Sequence, residues 1–262
     1  MQLKNYGESR RLYRIVANVG AVIIALWLLA YLIPPCRSIM LDMALSFILG
    51  LIATGLLWWA AYLSSPPRHF WGVLAAAWTV NLLGAIAWGL YEQISGNPLP
   101  FVSLVDLLYL ARYALVFAAF WKGFQLPRGR QWLWLLGSLL LAAAVVLGAY
   151  FISVPSSRQG ARWLAGAIYP ILDIGILYVA LEAWKGEPQG SLRNTLAILA
   201  LAFFAYCAAN WVNFFGQVIP VDAVAGLAPL FWPLSDILAG IAVLHLLWAA
   251  TVPEVSLEKW ER

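Results

Sequence analysis

Charge is what this chain has least of: 11% of its 262 residues are Asp, Glu, Lys or Arg, 63% are hydrophobic, and the mean hydropathy is +0.82. So little charge cannot clothe a water-exposed surface, which excludes a soluble globular domain and leaves an integral membrane protein. Lysine is missing from every long apolar stretch, which excludes a retinal Schiff base. HExxH, G-x-S-x-G, CxxC and a Gly-rich phosphate loop after a strand are all absent, so no common enzyme motif is present. Cysteine is limited to Cys36, at the end of the first apolar stretch, and Cys207, near the middle of the seventh. A bridge between them would join different depths, so both read as free thiols used as small apolar residues. Extended polar segments are also lacking, and no loop is long enough for an extramembrane domain.

What is there is apolar length. A helix needs about 20 apolar residues to cross the hydrocarbon core. Eight such spans are predicted, over residues 15–34, 41–63, 70–92, 103–121, 132–153, 163–184, 195–217 and 229–250. The separators, such as PPCRS, SSPPRH, SGNPLP and KGEPQGS, carry turn chemistry. The first span follows Arg10, Arg11 and Arg14 but ends at Pro34-Pro35 without a small-residue cleavage site, so it reads as a retained helix. With the N terminus inside, the inner segments hold twelve Lys and Arg against Arg37, Arg158 and Arg162 outside. This positive-inside bias puts both termini in the cytoplasm, and the bacterial cytoplasmic (inner) membrane is the expected location. The net charge of +4 therefore reports topology, and nucleic acid is not an expected partner.

Inside the spans, Asp-Asn-Asp occurs twice: Asp42, Asn81 and Asp106, then Asp173, Asn210 and Asp236. The steps are 39 and 25 residues, then 37 and 26, so each residue recurs about 130 positions later. MLDMAL around Asp42 resembles ILDIGIL around Asp173, and Pro100 and Ser103 echo Pro229 and Ser235. The pattern predicts two tandem four-helix repeats, 1–127 and 128–252, followed by a short cytoplasmic tail, 253–262. Four spans per copy is even, so the copies run parallel, related by an axis along the membrane normal.

Embedded charge is costly and normally faces the bundle interior with a partner. Arg112 is the one cation within a span away from its ends, and a shared depth makes Asp173 its expected partner; Asp106, six residues away, lies on another face. Tyr206, Asn210, Asn213 and Gln217 follow at steps of four, three and four and share a face of the seventh span. Asp106, Tyr109 and Tyr113 line up on the fourth, Tyr169 lies one turn from Asp173 on the sixth, and Asn81, Trp88 and Glu92 give the third a weaker polar stripe. These faces, with Asp236, are expected to converge on a polar cavity toward the outer side. Interhelical packing explains Asn81 and Asn210 equally well, since a repeated position fits a repeated contact. Fifteen tryptophans, among them Trp58, Trp59, Trp71, Trp88, Trp121, Trp132, Trp134, Trp184 and Trp248 near helix ends, read as an interfacial belt, with a Trp-lined cofactor or lipid pocket as the sharper alternative. His69 and His245 have similar depth, the geometry of a haem or pigment ligand pair; either is also an ordinary interfacial histidine.

The strings LVDLLYLARYALV (Leu104 to Val116) and AIYPILDIGILYVAL (Ala167 to Leu181) resemble the multi-span N-terminal regions of bacterial diguanylate cyclases and related membrane sensors. The closing LHLLWAATVP resembles the exit from their last helix. The resemblance covers roughly residues 70–253 and rests on a D-x-x-Y-L-x-x-Y string and a Y-P-x-x-D string. It implies an eight-helix membrane sensor in which Asp106, Tyr109, Tyr113, Tyr169, Pro170 and Asp173 are the matching positions. Arg112 lies outside the pattern and the first helix pair matches poorly. No output domain follows Trp248, so one is expected from elsewhere, as a missing segment or a cytoplasmic partner; EVSLEKWER is amphipathic enough to dock or signal, though Pro253 separates it from the last helix.

The chain therefore reads as a sensory or ligand-binding membrane module for a small or lipophilic molecule. Two other classes stay open: a scaffold subunit of a larger membrane complex binding lipid, quinone, haem or pigment, and an intramembrane hydrolase or transporter using Asp106, Asp173 and Asp236. The sequence names neither ligand nor cofactor.

Overall fold

The computed structural model describes residues 39–63, 68–97, 103–124, 130–153, 160–218 and 228–249, with eleven residues between 14 and 29. Those eleven are all helical and define α1. Seven longer helices follow: α2 (Ile39–Leu63), α3 (Arg68–Ser95), α4 (Leu104–Gly123), α5 (Arg130–Ser153), α6 (Gly160–Gly186), α7 (Ser191–Val218) and α8 (Ala228–Ala249). All seven are long and apolar enough to cross a membrane, and the described residues contain no strand. The chain is a multi-pass membrane protein. A backbone in hydrocarbon must satisfy its own hydrogen bonds, and helices do this within each segment. Much of the first predicted span, both termini, Cys36 and the tail 253–262 lie outside the described residues.

Six of the helices close a ring. In order around it, α2 packs on α3, α3 on α4, α4 on α6, α6 on α7, α7 on α8, and α8 returns to α2. Helix α5 stands outside, against α6 with a glancing touch on α7. Lipid is as apolar as leucine, so helices in a membrane gain little from hiding Leu side chains and associate through close packing and polar contacts. The ring follows that rule. Its interior is rich in fully buried alanines, including Ala60, Ala75, Ala77, Ala119, Ala202, Ala239 and Ala242. Around them Phe70, Phe120, Phe203 and Trp78 meet edge to face, with centroids 5.2 Å apart for Phe70 and Phe120, 5.8 Å for Phe120 and Phe203, and 5.6 Å for Trp78 and Phe203. At the foot of the α3/α4 pair, a Cβ on Gly123 would stand 2.7 Å from Phe70 Cβ, so the close approach requires glycine.

Tryptophan divides into two populations. Trp121, Trp132, Trp134 and Trp248 are exposed, as an interfacial belt requires. Trp71 departs from that expectation: it is fully buried, edge-on to Phe70 at 4.9 Å, because the start of α3 is enclosed by α2 and α4.

Two prolines lie inside helices, Pro170 in α6 and Pro233 in α8, and both are buried. Each lacks the N–H that would bond one turn back, so each leaves a backbone carbonyl without its usual helical donor.

Candidate functional site

Two helices that carry the resembling strings lock together reciprocally. Helix α4 starts with a capping box: the Asp106 backbone N–H donates to Ser103 Oγ at 3.4 Å, and Asp106 Oδ2 accepts from the Ser103 N–H at 2.7 Å. These contacts satisfy donors that the first helical turn otherwise leaves open. The other oxygen of Asp106 accepts from the Tyr169 hydroxyl of α6 at 2.6 Å. Two turns further along, the direction reverses and the Tyr113 hydroxyl of α4 donates to Asp173 Oδ1 of α6 at 2.8 Å. The two tyrosine rings stack between the bonds, with centroids 6.1 Å apart and planes at 27°. Tyr109 stands edge-on to Tyr169 at 6.2 Å and to Trp88 at 6.3 Å, against Gly84, where a Cβ would approach its ring to 3.1 Å.

Asn210 joins this lock to α7 and α8. Its amide donates to Asp173 Oδ2 at 2.7 Å and to the Tyr113 hydroxyl at 3.3 Å, while its oxygen accepts from Trp232 Nε1 at 3.1 Å. One turn away on α7, Tyr206 donates to Asn81 Oδ1 on α3 at 3.2 Å. Asp236, on α8, accepts from Trp78 Nε1 at 2.9 Å. Every helix of the ring reaches the cluster, with α2 contributing Gly50, whose added Cβ would lie 3.3 Å from Asp236 Oδ2.

Arg112 occupies the middle of this arrangement. It lies about 12 Å along α4 from its first residue, at 1.5 Å per residue, and is 1% exposed. Its guanidinium carbon sits 3.6 Å from the centroid of the Tyr206 ring, 5.4 Å from that of Trp78 and 5.5 Å from that of Tyr113. A cation over an aromatic face in a desolvated site gains about 2 kcal/mol or more. Asp173 and Asp236 both lie within electrostatic reach. The expected Arg112–Asp173 ion pair is nevertheless not formed, and among the described residues Arg112 has no carboxylate in ion-pair contact. The reason is geometric: neighbours on a helix point about 100° apart, so Tyr113 faces α6 and takes Asp173 while Arg112 faces Tyr206. Both Asp173 oxygens are occupied by Tyr113 and Asn210. Among the described residues, Arg112 Nε and Nη1 find no acceptor, and the buried Ser235 hydroxyl likewise has no partner.

The cluster thus gathers Asn81, Asp106, Tyr109, Arg112, Tyr113, Tyr169, Asp173, Tyr206, Asn210 and Asp236. Asn213 is half-buried and makes no hydrogen bond to a described residue, one helical turn beyond Asn210. The side chains of Asp42 and Gln217 lie outside those described. His69 is exposed, whereas His245 is half-buried with Nδ1 3.0 Å from Thr195 Oγ1, so the two have different surroundings. Among the described residues, no group of three or more His, Cys, Asp or Glu could hold a metal ion.

Sequence reasoning missed Trp78, Trp232 and Gly50, and marked Ser235 only as an echo of Ser103. The first two carried a signal: Trp78 lies three residues before Asn81 and Trp232 four before Asp236, each on the polar face of its helix. Chemically, the cluster offers a buried cation with unused donors, aromatic faces and carboxylates already engaged by neutral donors. No family model matches the chain, and comparison with curated proteins and with solved structures finds no match.

Proposed function

We propose that the chain is an integral membrane sensory module, which binds a small or membrane-dissolved molecule within the six-helix ring and passes the change to a cytoplasmic output segment or partner. The observation that carries this reading is the reciprocal lock, Tyr169 to Asp106 and Tyr113 to Asp173. The D-x-x-Y-L-x-x-Y and Y-P-x-x-D strings each supply the donor to one bond and the acceptor to the other, so they act as one device. That supports the resemblance to bacterial membrane sensors, because the two strings on which it rests meet at one place beside a buried charge, where a switch between α4 and α6 would act.

The same reading includes eight spans, both termini inside the bacterial cytoplasmic membrane, and two parallel four-helix repeats. The order of packing supports the repeat: α2 on α3 corresponds to α6 on α7, α3 on α4 to α7 on α8, and α4 on α6 to α8 on α2. Helix α5, outside the ring beside α6, then occupies the place that α1 would hold beside α2.

Spin labels on the exposed Leu107 of α4 and Ile168 of α6 report the separation of the two helices by pulsed electron resonance. The expected result is a narrow distance distribution in detergent-purified full chain, and a shifted or second population when membrane lipid extract is added or Tyr113→Phe and Tyr169→Phe are combined. One unchanged distribution under all three conditions would remove the sensory reading.

A further inference from the structure

Arg112 limits the chemistry of what the ring receives. It is a fully buried guanidinium whose Nε and Nη1 donors are unused among the described residues, while its face is stacked on the Tyr206 ring. Buried polar groups are almost always hydrogen-bonded, and leaving a charged donor unpaired is costly. The partner must therefore present an acceptor. Its charge is constrained by the neighbours: one guanidinium is accompanied by Asp173 and Asp236, whose oxygens accept only from neutral Tyr113, Asn210 and Trp78. A ligand anion would add a third negative group to a water-poor interior, and a ligand cation would face the guanidinium. An uncharged oxygen acceptor meets the unused donors without either penalty.

The route is set by the ring's two junctions between halves. Helices α2 and α8 pack through side chains, with Leu56 against Gly240 and the Asp236 carboxylate against Gly50. The α4/α6 junction is shorter and is held by the two Tyr–Asp bonds that flank Arg112 along α4. Such bonds average about 0.6 kcal/mol in membranes, so this side opens with less loss than a packed one.

We propose, building on the sensory reading, that a neutral lipid-soluble carbonyl compound enters between α4 and α6 and places its carbonyl oxygen on the unused donors of Arg112. A quinone ring and the ester of a neutral lipid share this chemistry, and the aromatic surfaces of Trp78 and Tyr206 suit either.

The test uses the full chain in mild detergent. Decylubiquinone, dioleoylglycerol and, as the anionic comparison, oleate are titrated separately, with tryptophan fluorescence reporting saturation and native mass spectrometry the stoichiometry. One equivalent of decylubiquinone or dioleoylglycerol is expected to bind, and the one that does so identifies the source. Arg112→Met should weaken that binding at least about tenfold, the loss of one hydrogen bond to a charged group. Arg112→Lys keeps the buried charge but loses the planar fork, and it should weaken binding by a smaller factor even if Arg112→Met fails to fold. Tighter, Arg112-dependent binding of oleate would overturn the neutral class while leaving the sensory module standing. Absence of saturable binding by either neutral probe, or equal affinity in wild type and both Arg112 variants, would overturn the site itself. If, in addition, the α4 to α6 distance never changes, the sensory reading falls with it.

Discussion

The two places where the halves of the ring meet are built differently. At α2/α8 the contact is side-chain packing, with an added Cβ on Gly240 in ordinary contact with Leu56 Cδ1 at 3.4 Å and one on Gly50 3.3 Å from the carboxylate of Asp236. At α4/α6 the contact is polar and aromatic: two Tyr–Asp bonds, stacked tyrosines and the Gly175 site, where a Cβ would meet Phe117 Cζ at 2.9 Å. Packed interfaces store their stability in many small terms and resist partial opening. Two hydrogen bonds store theirs in two terms, each of which can be lost separately. The contrast makes α4/α6 the side expected to move first under the sensory reading, and the substitutions below test it.

Substitutions that overfill each side test this contrast most strongly. Gly50→Val pushes branched carbons against Asp236 and against Leu82 Cδ1, 3.4 Å from the added Cβ, and is expected to cost about 3 kcal/mol. Gly175→Val meets the far end of the Phe117 ring at 2.9 Å and Leu139 Cδ2 at 3.5 Å, both ends that can swing, and is expected to cost about 1 kcal/mol. Unfolding of the purified variants by graded SDS measures both; an equal cost would erase the distinction between the two junctions.

Removing the bonds themselves is the next largest effect. Tyr113→Phe deletes a donor to Asp173 and an acceptor of Asn210 and should destabilise by about 1.5 kcal/mol, near the upper end for membrane hydrogen bonds. Tyr169→Phe loses one bond and should cost about 0.6 kcal/mol. In the double variant, coupling greater than about 0.5 kcal/mol is expected if the two bonds act as one lock. Simple additivity would mean two independent contacts.

The smallest effects should come from residues outside both junctions. Asn213→Ala and the α5 substitution Trp134→Leu are each expected within about 0.5 kcal/mol of wild type. A larger loss at Asn213 would place a further polar contact on α7 and extend the cluster beyond Asn210.

The helices were legible in the sequence because apolar length is a one-dimensional signal: the predicted third span, 70–92, lies inside the observed Arg68–Ser95. Polar faces were legible for the same reason, as Tyr206 and Asn210 do point into one cluster. Partners were not. Periodicity says which side of a helix a residue occupies but not which helix lies opposite, so Arg112 was matched to Asp173 by depth while Tyr113, its sequence neighbour, held that carboxylate. The capping of α4 was written in Ser103-x-x-Asp106, a local pattern that accounts for one oxygen of Asp106 without any cavity. Trp78 and Trp232 were hidden by their type, since tryptophan in a membrane chain is first read as interfacial.

Pro170 directly follows Tyr169 and precedes Asp173 by three residues. The turn of α6 that ends at Pro170 and carries Tyr169 therefore lacks a backbone hydrogen bond, and Asp173 follows within the next turn. A straight helix would have to release both bonds in a single rigid displacement. With one backbone bond fewer at Pro170, α6 is expected to bend there more easily than a straight helix, so that the Tyr169–Asp106 bond could be lost while Tyr113–Asp173 holds. A sensor built on this lock would then have an order of release, with Tyr169–Asp106 lost first.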